Sequence, residues 1–398
     1  MPYTALAQID PDLRQSIQIG YNQPLEGRSP LAFYAFYYRN QPGWWHTNLT
    51  LRTVIAPTYL DSELGIKNVF GDKTDLAIGL SGGGFADGYA EIRRGNWERS
   101  ESFVGHGGDL SVSLYHRFNP VPDGRKPEKL SEVPLVAVVR TGARFSAFDT
   151  DDGTSPNFKL PDDKTEFYVR TGMRWGGREP ELFPDTAVEL SIWYEGHFRT
   201  ESQLYGFNDD REIKGDSHRF WARALTAYTF PESRHRFEVS LTAGTSAGTD
   251  RLTAYRLGGA LPLAAEFPLM LPGYYNQELS AQKLLLASGS YTIPLGDHWE
   301  IVTHGSTAVV DFLPGFDTGS HWQSGVGADI GYHTGRWHVL AGYGYGFNAV
   351  RGDRTGAQTL SFLMQYDFEA ASGGEHSKSF IDRLNQGILN GLDKALGR

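Results

Sequence analysis

The sequence predicts an all-β protein: a sixteen-stranded antiparallel transmembrane β-barrel, with a long inward loop between strands 11 and 12 and a C-terminal amphipathic helix. Three observations carry this. Segments of alternating apolar and polar residues follow one another from about Ser16 to Phe368. Aromatic residues make up 13% of a chain whose mean hydropathy is only −0.40. That combination suits strands with one lipid-facing and one wet face, because alternation keeps any hydropathy window low. Finally, sixteen segments can be counted, and bacterial barrels take an even number.

The last segment is the clearest. Leu360, Phe362, Met364, Tyr366 and Phe368 alternate with Thr359, Ser361, Gln365 and Asp367, and only Leu363 breaks the polar set. Before it, Trp337, Val339, Ala341, Tyr343, Tyr345 and Phe347 oppose Gly342, Gly344, Gly346 and Asn348. Trp322, Val326, Ala328, Ile330 and Tyr332 oppose Gln323, Gly325, Gly327, Asp329 and Gly331. The middle segments put charge on the second face: Arg140 and Arg144, Arg170 and Arg174, Glu189 and Glu195, Arg219 and Arg223. A wet lumen tolerates such charges where a packed core does not. The predicted strands begin near Ser16, Pro30, Asn48, Ser62, Asp75, Asp109, Val133, Glu166, Ala187, His218, Arg236, Ala281, His298, Trp322, Arg336 and Gly356. Tight connections such as Thr334-Gly335 and long polar ones such as Asp149 to Lys164 suggest short turns on one rim and long loops on the other.

The connection after the eleventh strand is of another kind. Tyr255-Arg256-Leu257-Gly258-Gly259 leads into an apolar stretch that runs to Leu279 and holds Pro262, Pro268 and Pro272. The prolines and glycines exclude a regular helix. A long apolar loop suits water poorly and needs somewhere to fold, which the barrel interior provides.

Four regions follow: residues 1–15 as a short N-terminal segment, 16–368 as the barrel, 369–376 as a linker, and 377–398 as an amphipathic helix. In the last, Phe380, Ile381, Leu384, Ile388 and Leu392 recur at helical spacing, weakened by Gly387 and Gly391. Ala5-Leu6-Ala7 has the form of a signal-peptidase site without an apolar run before it, which fits an upstream export signal or a chance match. The chain has no cysteine, in keeping with export, and its net charge of −10 argues against nucleic acid.

No catalytic constellation stands out. His304 and Ser306 share one face, a spacing common by chance. Asp149, Asp151 and Asp152, like Asp209 and Asp210, read as solvated loop acids rather than a cation site. Gly82-Gly83-Gly84 precedes no helix and is not a phosphate loop. Neither enzymatic activity nor a cofactor or metal is expected.

Eleven strands before a loop with an aromatic-Arg-x-Gly motif, and five after it, resemble the BamA/TamA outer-membrane assembly superfamily, the bacterial surface antigens. The Tyr255-Arg256-Leu257-Gly258-Gly259 form, with Gly273-Tyr274, Glu278-Leu279-Ser280 and Tyr291, looks most like the branch fused to patatin-like phospholipases. The resemblance implies a bacterial outer-membrane location. It implies an inward loop whose arginine meets acidic residues of the lumen wall, with Asp311 or Asp329 as the partner of Arg256. A planar guanidinium suits that task because its donors reach several acceptors at once. The resemblance further implies an assembly signal in Leu360, Phe362, Tyr366 and Phe368, and a weak seam where a short first strand (Ile17, Ile19, Tyr21) meets Gly356–Phe368. POTRA and patatin domains belong to the family pattern. About fifteen residues precede the first strand here, so the chain reads as a barrel alone. The implied function is protein or lipid insertion or translocation among outer-membrane lipids, with periplasmic or membrane-associated protein partners. A structural scaffold barrel and a passive pore are the alternatives. The 377–398 helix suits docking such a partner, lying on the inner leaflet or plugging the lumen from below.

Overall fold

A computed structural model describes residues 9, 10, 12–119, 133–177, 186–260 and 267–369. Sixteen long strands close into one antiparallel barrel. They are β1 Arg14–Pro24, β2 Ala32–Pro42, β3 Leu49–Ala56, β4 Tyr59–Ile66, β5 Thr74–Gly83, β6 Phe103–Arg117, β7 Leu135–Thr150 and β8 Lys164–Gly176. The second half comprises β9 Thr186–Arg199, β10 Asp216–Thr229, β11 Arg236–Ala247, β12 Leu279–Leu295, β13 Trp299–Phe312, β14 Trp322–His333, β15 Trp337–Arg351 and β16 Arg354–Asp367. Each segment predicted from alternation has its strand. The largest shift is at β6, which starts at Phe103 rather than near Asp109.

Closure is by β1 on β16, with register from Ser16↔Asp367 to Pro24↔Thr359. Two backbone hydrogen bonds lengthen the ladder, Leu25 N to Gln358 O (2.9 Å) and Phe368 N to Gln15 O (3.0 Å). The Glu26 carboxylate also accepts from the Gln358 backbone and side chain, at 2.7 Å each. The expected weak seam is therefore corrected: this pairing outruns β2–β3, which spans only Tyr37↔Ile55 to Pro42↔Thr50. Alternation showed three apolar residues of β1, but backbone pairing needs no apolar side chain and continues to Pro24.

The rims sort largely as expected, with the long connections 84–102, 151–163, 200–215 and 248–278 on one and the tight 334–336 on the other, though each rim has exceptions. The longest connection, 248–278, lies on the same rim as two tight turns, Pro57-Thr58 and Gly352-Asp353. The opposite rim carries short turns and one longer connection, 118–134. These are called the loop rim and the turn rim below.

The two wall faces separate as alternation requires. Outside, Leu80, Leu110, Ile192, Ile330 and Trp322 are among many large apolar side chains left exposed. A continuous apolar belt of this kind is the surface that lipid covers. Near the turn rim it ends in aromatic contacts: Tyr228 with Phe230, Trp299 with Tyr332, and Trp337 with Tyr366, which meets Phe368. Such a girdle places amphipathic rings at the lipid–water boundary. Inside, the wall of β3 to β10 is a mesh of buried ions. Arg140 bonds Glu63 across Ser113, Arg52 meets Asp61 at 3.1 Å, and Glu195 pairs with Arg219. His197 stands between Glu166 (3.0 Å) and Glu195 (2.8 Å).

Candidate functional site

The loop between β11 and β12 is built to stay folded. Tyr255–Leu257 adds a short strand to the start of β12, in register Tyr255↔Ala281 to Leu257↔Leu279. The Tyr255 hydroxyl donates to Phe220 O at 2.8 Å, and Leu257 is fully buried. Gly258 and Gly259 take φ of +135° and +89°, a region closed to most side chains. That turn lets Gly258 N reach Leu269 O (2.9 Å) and Leu271 N reach Gly259 O (3.0 Å).

The far end of the loop rests on lumen-facing side chains. Phe267 packs edge-on against Trp193 and Trp221, with ring centroids at 5.7 and 5.8 Å. The Arg170 and Arg223 guanidinia lie 5.7 and 5.6 Å from its ring. Edge-on rings and stacked cations each add about 0.5–1.5 kcal/mol beyond burial. Pro272, Gly273 and Tyr274 then run directly over the glycine face of β14 and β15. A Cβ on Gly325 would sit 2.1 Å from Pro272 O, and one on Gly346 2.8 Å from the Tyr274 ring. The alternating glycines thus admit a backbone against a backbone. Gly273 N donates to Thr359 Oγ1 (3.2 Å), and the Tyr274 hydroxyl to Gln323 Oε1 (2.9 Å).

One buried ion pair clamps this end. Arg351 on β15 bonds Glu278 of the loop through both nitrogens, at 2.7 and 3.0 Å. Its guanidinium lies 3.6 Å over the Tyr275 ring, and the same carboxylate accepts Tyr275 N at 2.7 Å. The Tyr275 hydroxyl donates to Glu26 O at 2.9 Å, which ties the loop to the β1–β2 connection.

The expected arginine–acid contact is thus inverted, and the Arg256 assignment is corrected. Arg256 donates to two backbone carbonyls, Gln277 O (2.9 Å) and Ala90 O (3.1 Å), and covers the Tyr89 ring at 5.1 Å. Asp311 faces outward and pairs with Lys283 at 3.4 Å, both half-exposed. Asp329 does point inward, but toward His304 (3.6 Å) and the Ser361 hydroxyl (3.4 Å). Arg256 sits near the loop rim, where carbonyls of the 84–102 connection are nearer than either acid. The acid of the pair is supplied by the loop, in Glu278, and the cation by the wall, in Arg351. These two lie 73 residues apart, and no local pattern joins them.

The remaining candidates disperse. Ser306 donates to Ser288 Oγ at 3.0 Å rather than to His304. Asp209 pairs with Lys159 at 2.7 Å, and Asp149 and Asp151 accept from their own turns. No grouping able to hold a metal occurs among the described residues. Gly82 and Gly83 belong to β5 and pair with Leu60 and Tyr59. Leu360 and Phe362 face outward and Tyr366 and Phe368 join the aromatic girdle. Phe380, Ile381, Leu384, Ile388 and Leu392, with the rest of 377–398, lie outside the described residues, as does Ala5-Leu6-Ala7.

Above the loop the rim is capped. Tyr89, Phe158, Tyr205, Ile213 and Leu252 from four connections, with Phe103 at the start of β6, form one apolar cluster. Glu91 and Glu101 tie it together through Arg93, Arg211 and Arg251. Burial pushes the Tyr89 phenol well above its ordinary pKa. Cavities flank the loop. A cavity of about 510 Å³ opens toward the turn rim under Pro268, Met270 and Pro272. A smaller one, about 210 Å³, lies on the Arg256, Asn276 and Gln277 side.

A closed, sixteen-stranded antiparallel barrel, with a lipid-type apolar belt outside and residues 267–278 packed against inward-facing side chains, defines the class: a large β-barrel. No protein-family model matches the chain, and no curated protein does. Among solved structures the chain is similar to CdiB from Acinetobacter baumannii, with 9% identity and a TM-score of 0.57, covering 89% of this chain and 60% of that one. It is similar also to BamA from Haemophilus ducreyi lacking POTRA domains 1-3, with 11% identity and a TM-score of 0.53, covering 88% and 70%. The chain thus spans 60% of the length of the CdiB chain. Identities this low establish the barrel fold alone. They lend no support to a link between the Tyr255–Gly259 motif and the patatin-fused branch.

Proposed function

We propose that this chain is an outer-membrane barrel of the kind represented by BamA and CdiB, that it catalyses no reaction, and that it works with protein partners in inserting or translocating protein or lipid. The observation that carries the reading is the double closure of the lumen, by the Phe267–Glu278 seat and by the apolar cap. A barrel built for passive diffusion keeps its interior clear. This one fills it with side chains and a loop clamped by a buried bidentate ion pair.

Depletion of the chain in its host, followed by quantification of other outer-membrane barrels, tests the role. Loss of those barrels supports insertion. Normal levels would leave the second reading, a scaffold, which the well-packed cap favours. Passage through the β1–β16 boundary requires breaking a long ladder, so a lock there is informative. The chain has no cysteine, so Ile19→Cys with Met364→Cys places a lone pair across that ladder. Loss of activity on oxidation, restored by reductant, is the expected result if the seam is the route. Full activity of the locked form would exclude it. The assembly-signal role of Leu360, Phe362, Tyr366 and Phe368 and the docking role of 377–398 belong to the same proposal. Truncation at residue 376 should release a co-purifying partner.

A further inference from the structure

The smaller cavity carries charge that the closure of the barrel does not use. Five cationic side chains line it, Arg144, Lys164, Arg199, Arg251 and Arg256, against two carboxylates, Asp87 and Glu166. Both carboxylates are engaged: Asp87 accepts from Ser146 Oγ at 2.6 Å, and Glu166 from His197 and Arg199. His197, also on the lining, is held between Glu166 and Glu195. Two of the cations have no carboxylate at ion-pair distance among the described residues. Arg256 spends Nε and Nη2 on backbone carbonyls, and Lys164 makes no hydrogen bond and lies 5.6 Å over the Phe148 ring. A third, Arg251, holds Glu91 only through Nε, at 3.3 Å. The other two are matched, Arg199 by Asp250 at 2.7 Å and Arg144 by Asp109 at 3.8 Å, so the unmatched charge rests on Lys164 and Arg256; an anion between these two relieves their repulsion. The cavity has one apolar edge, Pro30-Leu31-Ala32. There Leu31 is 78% exposed and Phe33, two residues on, 53% exposed, at the loop-rim end of the apolar belt.

We propose that this cavity is a binding site for a phosphate-bearing group, namely the head of an anionic amphiphile whose apolar part lies along Leu31 and Phe33. Arg256 and Lys164 take the phosphate oxygens, with Arg251 as the third donor. Arginine and lysine differ here as they do elsewhere: the guanidinium fixes the direction of the phosphate, while the ammonium supplies a point charge. The inference stands independently of whether the barrel transports anything.

The test uses the full chain in non-ionic maltoside micelles, with native mass spectrometry against two probes. One is a bis-phosphorylated, acylated glucosamine disaccharide; the other is inorganic phosphate. One glycolipid per chain should bind, about tenfold more weakly after Lys164→Met, as the loss of one charge-assisted contact implies. Arg256→Gln should weaken it by a similar factor, and Leu31→Asp should weaken the glycolipid while leaving phosphate unchanged. Phosphate binding that falls with Lys164→Met, with Leu31→Asp silent toward both probes, would support the anion site and assign a free phosphate as its source. Absence of binding to either probe, or equal binding by wild type and Lys164→Met, overturns the proposal. Arg256→Gln also removes two loop contacts. Should it fail the heat-modifiable mobility check for a folded barrel, Lys164→Met, whose ammonium has no hydrogen-bond partner among the described residues, decides the matter alone.

Discussion

Two stretches of the same inner wall solve opposite problems. From β3 to β10 the lumen face is filled by its own side chains, charged and paired across several strands, as in Arg140 with Glu63 from β7 to β4. From β14 to β15 it is nearly bare, with Gly325, Gly327, Gly342, Gly344 and Gly346, and what fills it is a loop from elsewhere in the chain. The first wall is rigid because each ion depends on its neighbours, and the second is a receptor for Pro272, Gly273 and Tyr274. The contrast teaches that the interior is closed by two independent means, so damage to one should leave the other readable.

The largest expected effect lies in the ionic wall. Glu63→Ala strips Arg140 and Arg52 of a carboxylate while both stay buried. Removal of one partner of a buried pair costs about 3–5 kcal/mol. The urea midpoint of the barrel should fall accordingly, while the loop stays seated and conductance stays at baseline. A current appearing in this variant would erase the distinction between the two walls.

In the receptor wall, Glu278→Ala leaves Arg351 buried without its acid, at a cost of about 3–5 kcal/mol falling on the seat rather than the strands. Hydrogen exchange at 267–278 should rise while strand amides remain protected. Replacing both partners, Glu278→Met with Arg351→Met, should recover much of the loss, because two apolar groups bury without an orphaned charge. A smaller change is Gly325→Val, which drives a methyl-bearing carbon into Pro272 O and costs about 1–3 kcal/mol by overpacking. Exchange protection of Tyr274 and Tyr275 should drop with Glu63-type contacts intact. The smallest effect belongs to Asp311→Asn. Its pair with Lys283 is half-exposed and outward, so a change under about 1 kcal/mol and unaltered conductance are expected from unfolding and bilayer measurements.

The strands were legible because period-two alternation is a local signal, and β14 to β16 followed it nearly residue by residue. The glycine face of β15 was equally visible, but alternation says only which side Gly344 faces, not that a foreign backbone will lie upon it. Trp193 and Trp221 stand at lumen-facing positions among Ser191, Glu195, Arg219 and Arg223, and large rings at that parity were an available sign that something apolar seats there. Arg256 meets two backbone carbonyls in place of the expected acid, and carbonyls are carried by every residue and marked by no sequence. Glu278 and Arg351 meet through the closure of the barrel, a non-local event. The length of the β1–β16 ladder was hidden for a related reason, since backbone pairing past Tyr21 leaves no trace in side-chain pattern.

The central claim is that the loop seat closes this lumen. Planar-bilayer recording on the purified chain tests it most directly, with wild type beside Glu278→Ala, Gly325→Val and the two combined. The account predicts no steady conductance in the wild type, rare brief openings in each single variant, and more frequent brief openings in the combination, since the apolar cap stays in place. A large, steady current through the wild-type barrel would contradict it.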